Sequence, residues 1–193
     1  MSGVTGILLA AGSGSRFGSD KLLHPLVTGV PMALTSARTF KAVVPDSVAV
    51  VRPGAGKLAE LLAAEGYRVV VCANADQGMG ASLACAVAAA GEAGAYLVAL
   101  ADMPFIRPST ITAVRESLAS GVHLVAPYFR ARRGHPVGIG GRFRSELMAA
   151  SGDEGAKGLL QRHAAELVKI PVGDPGVIRD IDTPIDLTPP LYV

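Results

Sequence analysis

Residues Val4–Lys21 run VTGILLAAGSGSRFGSDK. Val4–Ala11 is a continuous apolar run of strand length, the pattern of a strand covered on both faces in a parallel sheet. It passes directly into Gly12 and Gly14, which let the backbone bend sharply and approach a ligand closely. Their amides can form an anion-binding nest for phosphate oxygens, and Arg16 and Lys21 add two side-chain cations to the same loop. A bare turn needs neither cation. The loop is not a P-loop, because no Gly-Lys-Ser/Thr follows its last glycine. It also departs from the dinucleotide pattern G-x-G-x-x-G: Gly12, Gly14 and Gly18 space as G-x-G-x-x-x-G with arginine inside. The second strand ends in Arg52, which suits a 2′-phosphate, so an NADP-binding reductase stays open as an alternative.

Outward from this stretch, apolar strands alternate with helical patterns. Strands are expected at Ser47–Val51, Tyr67–Cys72, Ala95–Ala101 and His123–Pro127. Helices are expected at Pro31–Ala42, Gly56–Ala64, Ala81–Ala90 and Pro108–Ala119. This rhythm predicts an α/β fold with a mostly parallel central sheet, right-handed crossovers and helices on both faces. Beyond Pro127 the rhythm changes. Tyr128–Gly141 is basic and Gly-rich, a hairpin or excursion. Short helices follow near Phe143–Ala149 and Ala156–Ala164, with late strands at Glu166–Pro171 and Gly176–Ile181. No repeat, linker or boundary interrupts the 193 residues, so a single domain over 1–193 is expected.

Composition narrows the function. Half the residues are hydrophobic and tryptophan is absent, so the core must be built from Ala, Val, Leu and Ile. A net charge of +2 gives no electrostatic basis for binding nucleic acid or an acidic membrane. No apolar run reaches the roughly 18 residues of a bilayer span, and no basic flank precedes the first strand, so a cytoplasmic protein without a signal peptide is expected. Cys72 and Cys85 lack metal or redox spacing and read as buried small hydrophobes.

In such a sheet, ligands bind beyond the carboxyl ends of the strands, and four unusual segments fall there. Gly12–Lys21 follows the first strand. ADQGMGASL, Ala75–Leu83, follows the third; Gln77, Gly78 and Ser82 offer groups suited to a base or ribose, although a capping turn explains them equally. LVALADMP, Leu97–Pro104, puts Asp102 at the end of an apolar strand, where a carboxylate is poorly hydrated unless paired; Mg²⁺ on phosphate oxygens is a natural partner. RARRGHPVG, Arg130–Gly138, follows the fifth strand and can meet a second anionic substrate through Arg130, Arg132 and Arg133, with His135 held between Gly134 and Pro136. Farther on, VIRDIDTPIDL, Val177–Leu187, places Asp182 either as a second metal ligand or as a helix cap before Pro184; Asp180 reads as structural.

Together these segments resemble the MobA-like nucleotidyltransferases, with the nearest likeness to molybdenum-cofactor cytidylyltransferases. The likeness rests on LAAGSGSRFG (Leu9–Gly18) with Lys21, QGMGASL (Gln77–Leu83), DMP (Asp102–Pro104), GHPV (Gly134–Val137), GDEGAK (Gly152–Lys157) and DIDTP (Asp180–Pro184), in the family's order. It implies a Rossmann-like nucleotidyltransferase fold and Mg²⁺-dependent transfer of CMP from CTP to a phosphorylated pterin, with pyrophosphate released. It assigns Leu9, Ala10, Ala11, Gly12, Ser13, Gly14, Arg16, Lys21, Gln77, Gly78 and Ser82 to the nucleotide. Arg16, Lys21 and Asp102 are assigned to catalysis, Asp102 and Asp182 to the metal, and His135 and Asp153 to the acceptor. Ala11, where guanylyl relatives carry Gly, favours CTP. Transient docking to a molybdoenzyme is the protein partner the resemblance suggests. The sequence departs from many relatives at Phe17, usually Met, and at Met103, usually Gln. A guanylyltransferase with another phosphorylated acceptor and a non-catalytic cofactor carrier are the remaining alternatives.

Overall fold

A computed structural model describes residues 3–12, 17 and 20–187. Its sheet contains β1 (Val4–Ala10), β2 (Ser47–Val51), β3 (Arg68–Val71), β4 (Ala95–Leu100), β5 (Leu124–Phe129), β6 (Arg132–Arg133), β7 (Val137–Gly140) and β8 (Val168–Pro171). Pairing runs β3-β2-β1-β4-β7-β5-β6, and β8 pairs with β5. The β1–β2, β1–β4, β2–β3 and β5–β8 pairs are parallel. β7 lies antiparallel between β4 and β5.

The helices are α1 (Met32–Val43), α2 (Gly56–Ala64), α3 (Met79–Ala90), α4 (Pro108–Ala119), α5 (Arg144–Met148) and α6 (Lys157–Arg162). Alternation along β1 divides them between two layers. Leu8 and Ala10 pack with Phe40 of α1, Leu62 of α2 and Val114 of α4. Ile7 and Leu9 pack with Leu83 of α3, Leu147 of α5 and Leu160 of α6. Helices on both faces and a mostly parallel order are therefore as expected, while β7 makes the sheet mixed. Cys72 is buried and Cys85 partly so, both as free thiols. Among the described residues, no helix is long and apolar enough to cross a membrane.

Tyr128–Gly141 opens with the hairpin that is one of the two expectations, Tyr128 pairing with Arg133, and its continuation β7 enters the sheet, Gly138 pairing with Leu97 on one side and Val125 on the other. One late segment differs from the expectation. Gly176–Ile181 is not a strand. Pro175–Ile178 forms a 3₁₀ turn in which Asp174 accepts from the Gly176 amide at 3.0 Å. Gly176 lies so close to the Phe105 carbonyl that a side chain there would overlap it.

Candidate active site

The carboxyl ends of β1 and β4 face one edge, and the two chain reversals there bring three charged groups together. After β1 the chain reaches the 3₁₀ turn Lys21–Leu23, whose Leu22 is anchored in the core. After β4, Asp102 sits where the strand stops, its carbonyl accepting from the Ile181 amide at 3.0 Å. That bond ties the Asp180–Pro184 segment to the same edge. Lys21 Nζ then donates to Asp102 Oδ2 at 2.9 Å and to Asp182 Oδ1 at 3.0 Å.

This trio is electrostatically coupled. Burial disfavours the Lys21 ammonium, but the Asp102 charge and the hydrogen bonds to both carboxylates outweigh it, and the lysine titrates above its ordinary range. Burial pushes the Asp102 carboxyl above the ordinary carboxylate range, against the pull of Lys21, and the charge of nearby Asp180 adds to the push. Asp180 itself is exposed. Asp182 and Thr183 stand immediately before the 3₁₀ turn Pro184–Leu187, the position that the capping alternative requires. Asp186 folds back so that its Oδ2 accepts from Thr183 N and Thr183 Oγ1, each at 2.8 Å, and from Asp182 N at 3.2 Å. The Asp182 side chain is thus turned to Lys21.

Two carboxylates that reach one atom from different segments suit Mg²⁺, which takes one or two protein carboxylates and fills its remaining positions with water and phosphate oxygens. They do not make an all-protein metal cage; among the described residues, no cluster of three or more His, Cys, Asp or Glu side chains forms one.

A cavity of about 270 Å³ reaches the carboxyl ends of β1 and β4 through Leu9 and Leu100. Leu9, Leu100 and Leu83 are among its apolar lining, and Arg133, His135 and Asp153 are among its polar lining. The two residues assigned to the acceptor are therefore brought to one space. Because β7 runs antiparallel to β4 and starts opposite Val98, the residues just before it reach the carboxyl end of β4. Gly134 packs against Val177, where an added Cβ would lie 2.6 Å from the Val177 Cβ. Burial, with Arg133 adding to it, pushes the His135 imidazole down to about 4, so the ring is neutral near pH 7. Of the three arginines, only Arg133 lines the cavity. Arg130 and Arg132 sit at the exposed hairpin tip, Arg130 over the Phe129 ring at 5.2 Å.

The Gln77–Leu83 segment has a second use. Gly78 has φ +107°, and a Cβ there would lie 2.5 Å from Asp153 Oδ1. The Gly80 amide donates to the Gly152 carbonyl at 2.7 Å. Both glycines let the start of α3 meet the Gly152–Asp153 loop directly. Gln77 is exposed on its 3₁₀ turn; Ser82 is buried, with its hydroxyl donating to the Gly78 carbonyl at 3.4 Å.

Leu9, Ala10 and Ala11 are buried at the end of β1, and Gly12 is exposed. Ser13, Gly14 and Arg16 lie outside the described residues. The departures at Phe17 and Met103 both point inward. Phe17 packs with Met32 and Ile181, and Met103 belongs to the core beneath α1 and α4. Sequence reasoning missed Met79 as part of the cavity lining, although a lone methionine between Gly78 and Gly80 was a visible signal. It also missed Asp186, whose only signal was its place in a run of spaced acids.

A Rossmann-like sheet with a lysine and two acids at its carboxyl edge defines an α/β protein of the nucleotidyltransferase fold. The chain belongs to the MobA-like NTP transferase family, whose domain model matches residues 6–167. It is 34% identical over 190 residues to nicotine blue oxidoreductase of Paenarthrobacter nicotinovorans, covering 93% of this chain and 92% of that protein. It is 35% identical over 134 residues to the bifunctional protein GlmU of Dinoroseobacter shibae, matching 67% of this chain but 30% of that larger protein. Among solved structures, the manganese complex of Rv0371c from Mycobacterium tuberculosis superposes with a TM-score of 0.80 at 23% identity, over 96% of both chains. Molybdopterin-guanine dinucleotide biosynthesis protein A from Archaeoglobus fulgidus superposes with a TM-score of 0.68 at 21% identity, over 95% of this chain and 94% of that one.

Proposed function

We propose that this protein transfers CMP from CTP to a phosphorylated pterin and releases pyrophosphate. The observation that carries the reading is the convergence of Lys21, Asp102 and Asp182 at the strand edge; the cavity lined by His135 and Asp153 reaches the ends of the same strands through Leu9 and Leu100. An acceptor phosphate oxygen attacks the α-phosphorus, a new P–O bond forms, and the bond to the β-phosphate oxygen breaks. That nucleophile is already anionic near neutral pH, so no protein base is required. The neutral His135 fits this role, because it can exchange hydrogen bonds with the acceptor without serving as a cation.

Asp102 and Asp182 are the residues to hold Mg²⁺, which when bound supplies charge neutralisation to the polyphosphate. In this reading Arg16 and Lys21 would neutralise the departing pyrophosphate, and Gln77, Gly78 and Ser82 would bind the nucleoside. Ala11 supports cytosine over guanine, and the six family motifs support a pterin acceptor. The chain's task is positioning and electrostatic stabilisation.

Pyrophosphate release tests this, measured with CTP and with GTP, with and without a phosphorylated pterin. Release that needs CTP, pterin and Mg²⁺ together is expected. A second reading has one specific observation behind it: the relative matched over nearly its whole length is named an oxidoreductase. In that reading the β1 loop and Arg52 hold NADP. NADPH fluorescence that changes on binding, with no pyrophosphate from any nucleotide, would replace the first reading with the second.

A further inference from the structure

We propose that Lys21 is an internal counter-ion for the acid pair, which a divalent cation displaces only when an anion takes over the lysine. The inference rests on the reading of Asp102 and Asp182 as the metal-holding acids, and it concerns how that site is kept ready and loaded.

Both carboxylates come within hydrogen-bond distance of one atom, the Lys21 Nζ, at 2.9 and 3.0 Å. Side chains so close to a common point repel one another unless a cation lies between them. The lysine side chain is only 8% exposed. A buried ammonium without acceptors is costly, so it holds the acids together and they hold it in place. A divalent ion bridging the same oxygens would lie beside the ammonium and be repelled by it. The two cations therefore compete for one place.

The backbone permits the exchange. Lys21 starts a 3₁₀ turn closed by the Leu23 amide on the Asp20 carbonyl at 3.0 Å and the His24 amide on the Lys21 carbonyl at 3.2 Å. The Cα is fixed, and only the flexible four-carbon stem has to move. Once expelled, the ammonium needs another anion, and the triphosphate of the proposed reaction supplies one. Metal and triphosphate should therefore load together: metal alone is opposed by the lysine, and triphosphate alone is opposed by the unrelieved acids. By linkage, each raises the affinity of the other.

The test measures Mn²⁺ binding by electron paramagnetic resonance of the free ion, without nucleotide, on the wild type, Lys21→Met and Lys21→Met/Asp102→Asn. Lys21→Met should bind Mn²⁺ about tenfold or more tightly than wild type, since charge-assisted hydrogen bonds no longer compete. The added Asp102→Asn should abolish that gain. Equal or weaker binding by Lys21→Met overturns the proposal while leaving the acid-pair reading intact. If none of the proteins takes up Mn²⁺, even with CTP present, both fail.

Should Lys21→Met not fold, the wild type carries the test through the ¹⁵N resonance of its one buried lysine ammonium. That signal should stay unchanged when Mg²⁺ is added alone and shift when Mg²⁺ is added with a non-hydrolysable CTP analogue. A signal unmoved by saturating Mg²⁺ and analogue overturns the proposal.

Discussion

The backbone amide of His135 donates to the carbonyl of Val177 at 2.8 Å. The turn that carries His135 is thereby fastened to the segment after β8, and Gly134 is the residue that lets the two backbones come so close. Gly134→Ala would force Val177 away and displace His135. The expected cost is about 1–3 kcal/mol of stability, with a raised KM for the acceptor and an unchanged KM for CTP. Urea denaturation and steady-state kinetics measure the two effects; a rise in both KM values would place Gly134 outside the acceptor wall.

Asp174 holds the other end of that segment. Its buried carboxylate accepts from Arg107 N at 2.9 Å, Thr110 Oγ1 at 2.8 Å and Gly176 N at 3.0 Å. Asp174→Ala leaves these donors without their acceptor, at a cost of roughly 2–4 kcal/mol. Thr110→Val removes one of the three partners and should cost about 1 kcal/mol. Equal losses in the two variants would show that the backbone donors find other partners.

His135 makes stability depend on pH. Burial lowers its folded value to about 4, whereas the unfolded chain keeps the ordinary value of about 6.5. Above about pH 6.5 both states are neutral and this group adds no pH dependence. As pH falls toward about 4, the unfolded chain accepts a proton that the folded chain refuses, and stability is lost. At about pH 5 the loss should be roughly 2 kcal/mol relative to about pH 7. His135→Gln should remove that share of the slope, read from urea midpoints of both proteins at the two pH values.

Asp102→Asn keeps the shape of the site and removes one of the two charges facing Lys21. Because Asp182 still accepts from Lys21, folding should persist. Pyrophosphate release should fall on the order of 10²–10³-fold. Lys21→Ala should lower turnover on the order of 10²-fold. Near-normal turnover of Asp102→Asn would remove the carboxylate pair from the chemistry.

Ala11 is buried at the end of β1, packed in the layer beneath α3. If its methyl group favours the smaller base, Ala11→Gly should narrow the CTP-over-GTP preference about tenfold, the usual scale for one buried carbon in a pocket. Ratios of kcat/KM for the two nucleotides give the answer, and an unchanged ratio moves the choice of base elsewhere.

Much of this was legible in the chain because local signals and the fold agree. β1 and β4 are apolar on both faces, and their ends carry the glycine loop and Asp102, so the active edge follows from strand direction alone. Less legible were features set by partners far away in sequence. Val137–Gly140 is too short and glycine-rich to announce a strand, yet β4 and β5 supply pairing on both sides. Gly176–Ile181 has the composition of a strand, but Asp174 and the crowding at Phe105 impose a 3₁₀ turn. The glycines around Met79 looked like a nucleotide loop and also serve a backbone contact with Gly152, which no local pattern reveals.

The antiparallel insertion of β7 has a consequence for the nascent chain. On the ribosome, β1 to β4 emerge first, and the open flank of β4 waits for a strand made only after the Tyr128–Arg133 hairpin. Until then an entirely apolar strand edge is available to other molecules. Truncation between β4 and β7 should therefore yield a chain that aggregates, and the cavity wall that carries His135 is among the last parts of the protein to come into being.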